Sequence, residues 1–158
     1  MENVLRRNPR KPNDHRTPEL AQFVRQVLTG SQANVVTVLL ALIYVERFKQ
    51  RLPPRSSGDH DTPHRLFYVA LMLASKYLYD QTLTNRAWSK ISVIFGVEEL
   101  NMMELDFLSL IKYDLFVDKA MFDDFLDTRV THYDRAMSRE LKHLHGPLFQ
   151  SNHGIAAY

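Results

Sequence analysis

Residues 62–80 read Thr-Pro-His-Arg-Leu-Phe-Tyr-Val-Ala-Leu-Met-Leu-Ala-Ser-Lys-Tyr-Leu-Tyr-Asp. Thr62 supplies an N-cap, and Pro63 suits the first helical position, where the missing N–H costs nothing. From Leu66 to Tyr79 the one charged side chain is Lys76. A helix that is apolar all round has no solvent face and belongs in the middle of a bundle. Upstream, Val35–Val45 has the same character, with Thr37 its polar exception. Between them, residues 51–61 carry two prolines, a glycine and turn formers without periodicity, which reads as a loop. Two hydrophobic helices joined by such a loop predict an all-α fold with both buried at its centre.

Shorter helices surround this pair. Thr17-Pro18-Glu19 gives a start signal, after which Leu20, Phe23, Val24, Val27 and Leu28 recur at helical spacing until Gly30 stops the run. Ser31 opens the second helix. Thr84 caps a fourth through Trp88 and Ile91, and a fifth runs from about residue 98 to 113. Asp118 caps a sixth, striped by Phe122, Phe125, Leu126, Val130, Tyr133 and Met137 and ended by Gly146-Pro147. The expected organisation is a basic, disordered tail over 1–16, a five-helix body over 17–117, a helix over 118–145 packed on that body, and a tail over 146–158.

Composition narrows the function. The 158 residues contain no cysteine, which excludes thiol chemistry and Cys-based metal centres and fits an intracellular, nuclear or cytoplasmic, protein. The longest apolar run is too short to span a bilayer, so no membrane partner is expected. The net charge of +2 is concentrated in residues 1–16, which hold five basic and two acidic residues; the remainder is nearly neutral. A nucleic-acid-binding domain spreads Lys and Arg over a folded face, so no nucleic-acid partner is expected either. Residues 98–134 carry ten acids, a solvated face able to steer a basic partner. No Gly-rich phosphate loop or nucleophile elbow is present, so neither an enzyme nor a cofactor is predicted. His60-Asp61-Thr62-Pro63-His64 has no second cluster to complete a coordination shell, and His143 and His145 point to different sides of a helix, so no metal site is predicted.

Two charges sit where solvated ones do not belong. Lys76 falls between Val69 and Met72 on the helical wheel, and Glu104 falls between Ile111 and Leu108, within about 40° of Leu100. A lone charge in an apolar arc snorkels, pairs with a buried partner, or waits for another molecule to satisfy it. If the two lie close across adjacent helices, they form a donor and acceptor pair ringed by apolar surface, suited to docking a partner's exposed main chain. The expectation is that a foreign backbone, not the chain's own fold, satisfies them.

These residues also carry a family resemblance. Leu40-Ala41-Leu42-Ile43-Tyr44-Val45-Glu46-Arg47-Phe48 resembles the second cyclin-box helix, and Ala70-Leu71-Met72-Leu73-Ala74-Ser75-Lys76-Tyr77 the third. Asn85–Lys90 and Glu99–Leu108 resemble the fourth and fifth, and Tyr113-Asp114-Leu115 is similar to the family's closing Phe-Asp-Leu. The pattern is most similar to single-box cyclins of the fungal phosphate-pathway type, related to P- and U-type cyclins. About 40 residues follow Leu115, too few for a second box.

The resemblance implies a single five-helix cyclin box with an additional C-terminal helix, and a non-catalytic subunit that binds and activates a cyclin-dependent kinase. That kinase would be of the phosphate-pathway or neuronal-type branch, with kinase inhibitors or substrate proteins as further partners. Lys76 and Glu104 hold the positions that bond kinase main chain beside its αC helix; Met72, Leu73, Tyr77, Asp80, Phe107 and Leu108 complete the expected kinase-binding set. Three features depart from the pattern. Leu78-Tyr79-Asp80 replaces the usual acidic pair, Ile91 to Val97 is slightly longer than the family's Gly-Ile linker, and no Met-Arg-Ala-Ile-Leu substrate patch appears. Rival readings are an adaptor of the same fold that activates nothing, and a cyclin-like transcription-factor module. Thr62-Pro63-His64-Arg65 also matches a proline-directed phosphosite, although cap and first helical residue already account for it.

Overall fold

The computed structural model describes residues 17–130, the side chain of Val130 excepted. Five helices occupy the stretch up to Leu115: α1 (Leu20–Ser31), α2 (Val35–Arg51), α3 (Thr62–Leu78), α4 (Asn85–Ser92) and α5 (Val97–Leu110). A second compact unit begins at Phe116 and contains α6 (Lys119–Phe125), continued by a π-helical turn over Leu126–Val130. No strand occurs among the described residues, so the fold is all-α. The expected C-terminal helix lies outside the described residues beyond 130, as do Tyr133, Met137, His143 and His145.

The central pair is α2 and α3. On α3 every residue from Tyr68 to Ala74 is buried, as the apolar run requires. α2 buries Val36, Leu39, Leu40, Ile43, Tyr44 and Phe48, but leaves Val35 and Leu42 partly exposed, so it is less enclosed than its composition suggests. From α5, Leu100, Met103 and Phe107 complete this side of the core, with Phe107 stacked on Phe48 at 4.7 Å between ring centroids. At the other side Phe23 of α1, Tyr68, Trp88 of α4 and Phe95 form an aromatic cluster whose neighbouring rings lie 5.6–6.0 Å apart. Tyr68 donates to the Trp88 carbonyl, and burial pushes its phenol well above the usual range.

Several helix starts differ from the sequence reading. Thr17 does not cap α1; Glu19 occupies the cap, without a side-chain bond. α2 begins four residues after Ser31, because Asn34 accepts from the Thr37 N–H at 2.9 Å and so provides the cap. Asp61, not Thr62, precedes α3, and its carboxylate turns to Arg65 instead of capping. Thr84 and Asp118 cap as predicted, accepting from Ala87 and Met121. Gly30 does not end α1: it lies inside the helix, which stops on the left-handed Gln32.

The exit of the five-helix unit is clamped. Lys112 and Tyr113 both adopt positive φ, near 55°, turning the chain sharply after α5. Three residues of α2, spaced along one face, hold residues 114 and 115 just beyond that turn. Tyr44 donates to the Leu115 carbonyl at 2.9 Å, Arg47 to the Asp114 carbonyl at 2.7 Å, and Arg51 to the Asp114 carboxylate at 2.8 Å. The bond from Arg51, with Arg47 adding its charge, holds the Asp114 carboxyl below the usual carboxylate range.

Candidate functional site

The C-terminal turn of α3, the N-terminus of α4 and the middle of α5 meet at one polar cluster. Lys76 stands in the last turn of α3, where a cation is favoured by the helix dipole. Asn85 is the first residue of α4, fixed there by the Thr84 cap. Asn101 and Glu104 are one turn apart on α5. The Lys76 ammonium lies 2.5 Å from Glu104 Oε1 and donates to Asn85 Oδ1 at 2.7 Å. Asn85 Nδ2 in turn donates to Glu104 Oε2 at 2.9 Å and to Asn101 Oδ1 at 2.6 Å.

The structure therefore brings Lys76 and Glu104 together, and corrects the expectation that they stand unsatisfied. Each is already met within the fold, by the other and by Asn85. Their side chains stay 31% and 17% exposed, so the pair is screened on one side and open on the other. An ammonium has three donors, and two are taken here.

The apolar residues expected around the pair divide between core and surface. Met72, Leu73 and Phe107 are core residues with almost no solvent exposure, so the expectation that they line a contact surface is corrected. They point inward because the α3 and α5 faces that carry them pack on α2 and on each other. Tyr77 and Leu108 are half-buried, and Asp80 is exposed. Tyr77 meets Tyr44 edge-on at 6.4 Å. Exposed apolar area comes from Leu105, at 58%, and Met102, neither of which the wheel singled out. Tyr79 is anchored to the α2 cap, its hydroxyl accepting from Asn34 at 2.7 Å.

Thr62 is only 9% exposed, and an added Cβ on Gly58 would lie 2.4 Å from its hydroxyl, so the Gly58 backbone sits close against it. His64 Nε2 bonds the Pro18 carbonyl at 2.8 Å and Asp61 pairs with Arg65, so both are engaged away from any metal. Among the described residues, no group of three His, Cys, Asp or Glu side chains is placed to hold a metal ion, and no helix is long and apolar enough to cross a membrane.

Sequence reasoning missed a second ionic centre. Arg65 has no solvent exposure, and its guanidinium lies 3.3 Å from Asp61, 2.6 Å from Glu99 and 5.3 Å from the centre of the Phe95 ring. The four-residue spacing of Asp61 and Arg65 was the available signal. It reads just as well as a solvated first turn.

Comparison with known proteins places this geometry. The cyclin family profile matches residues 19–115. The chain is 31% identical over 104 residues to PHO85 cyclin-1 of Saccharomyces cerevisiae, covering 65% of this chain and 37% of that protein. It is 36% identical over 105 residues to the G1/S-specific cyclin pas1 of Schizosaccharomyces pombe, covering 65% and 25%. To Cyclin-U2-2 of Arabidopsis thaliana it is 27% identical over 119 residues, covering 75% and 49%. The match thus spans between a quarter and a half of these relatives. The resemblance to phosphate-pathway and U-type cyclins read from the motifs is borne out. The profile ends at the residue whose carbonyl Tyr44 holds, and the five helices within it are a cyclin box: the chain belongs to the cyclin family.

Proposed function

We propose that this chain is the regulatory subunit of a cyclin-dependent protein kinase, which it binds and activates by docking beside the kinase αC helix. The observation that carries this reading is the partly exposed Lys76–Glu104 pair, with half-buried Leu108 one turn along α5 from Glu104. Such a pair offers an ammonium donor and carboxylate lone pairs to the free ends of a partner's main chain, in hydrogen bonds strengthened by charge. Three relatives are named as PHO85 cyclins, which supports a PHO85-type partner.

Activation on this reading is a population shift. The cyclin binds the kinase conformation with αC turned inward better than the outward one, so the ion pair that grips ATP forms within the kinase. Chemistry belongs entirely to the partner.

The test is a pull-down from native extract, identification of the co-purifying kinase, and measurement of its affinity and activity with purified chain. Lys76→Ala and Glu104→Ala are expected to lose about 2–5 kcal/mol of affinity with little change in melting temperature. Unchanged binding in both would place the interface elsewhere. A kinase that co-purifies but gains no activity would identify an adaptor instead.

A further inference from the structure

We infer that Asn85 is the positioning residue of the docking site, the group that holds Lys76 and Glu104 in one geometry before a partner arrives. The inference rests on the docking reading above and adds the device that makes the pair usable.

Lysine and glutamate are long, and an exposed pair of them gains little, because fixing two flexible chains costs side-chain entropy. Asn85 removes much of that freedom. Its amide bridges both ends at once, accepting from the Lys76 ammonium at 2.7 Å and donating to Glu104 Oε2 at 2.9 Å. Only one orientation of the amide does this, since an ammonium cannot accept and a carboxylate cannot donate. The second Nδ2 proton goes to Asn101 Oδ1 at 2.6 Å, which ties the amide to α5 a second time. The backbone of Asn85 is itself fixed by the Thr84 cap. With Asn85 and Glu104 satisfying two of its donors, the ammonium keeps a third, directed by the other two. A partner carbonyl then meets a preorganised donor and bears less of the ordering cost.

The chemistry separates this role from simple packing. Asn85→Asp keeps the shape and the acceptor for Lys76, and an acid at the first position of a helix favours the helix itself. It places a carboxylate oxygen, however, where the donor to Glu104 stood. Packing alone therefore ranks alanine as the worse substitution, whereas positioning ranks aspartate as worse.

The experiment compares the full chain with Asn85→Ala, Asn85→Asp, Lys76→Ala and Glu104→Ala for binding to the kinase recovered in the pull-down. Melting temperatures and the Lys76 side-chain ammonium NMR signal of each unbound protein are recorded alongside. Asn85→Ala is expected to bind about tenfold more weakly, chiefly through faster dissociation, and Asn85→Asp more weakly still. The ammonium signal, narrow in the wild type, broadens in both Asn85 variants. Wild-type affinity and an unaltered ammonium signal in the Asn85 variants, with Lys76→Ala and Glu104→Ala impaired, would overturn the positioning role and leave the docking reading standing. Wild-type affinity in all four variants would overturn both.

Discussion

Arg65 shows how much one side chain can demand of its surroundings. Its charge is fully buried, and its neighbours are two carboxylates, an aromatic face and the Met103 sulfur at 3.2 Å. A buried ion pair adds little net stability over a well-packed apolar replacement, but breaking one is costly because the remaining charge has nowhere to go. Arg65→Ala strands Asp61 and Glu99 together and is expected to cost about 3–5 kcal/mol in urea unfolding. Arg65→Lys falls between, since a point charge cannot reach both acids as a planar fork does. This cluster is not legible in the sequence, because a charge four residues into a helix looks the same whether it faces water or a neighbouring helix. Lys76 and Glu104 are legible for the opposite reason: they interrupt arcs that are otherwise apolar.

At the scale of elements, α1 and α4 approach closely enough to decide one residue. A Cβ added at Gly30 would sit 2.9 Å from Ile91 Cγ2, while Gln26 of α1 donates to the Ile91 carbonyl at 3.0 Å. Glycine in a helix is otherwise unfavourable by about 1 kcal/mol relative to alanine. Gly30→Ala is therefore expected to destabilise by about 1 kcal/mol net, overpacking outweighing propensity. With Ile91→Ala already present, the same change should stabilise instead. A four-variant cycle followed by thermal unfolding reads that reversal of sign. In sequence Gly30 reads as a stop, since a terminal glycine and a close-approach glycine carry the same letter. Asn34 is hidden as a cap for a related reason: Ser31 offers the same chemistry three residues earlier.

For the five-helix unit as a whole, the fold class follows from two helices too apolar to be surface elements. The closure does not, because it joins residues far apart in sequence. Asp114 is set between Arg47 and Arg51, and its carboxyl is depressed chiefly by the Arg51 hydrogen bond. A carboxylate whose folded pKa lies below its unfolded value of about 3.9 adds stability above that value and loses it as the pH falls through the folded one. Asp114→Asn should thus be less stable than wild type at neutral pH. The difference should close as the pH falls from the unfolded value through the lower, folded one, as followed by circular dichroism during acid titration. Tyr44, Arg47 and Arg51 reach their partners across 71, 67 and 63 residues of sequence. During translation, then, α2 leaves the ribosome long before the backbone that completes it. Until residues 114 and 115 emerge, the nascent chain carries two guanidinium groups and a phenol without these partners, so the last short stretch of the box to be synthesised sets when it can close.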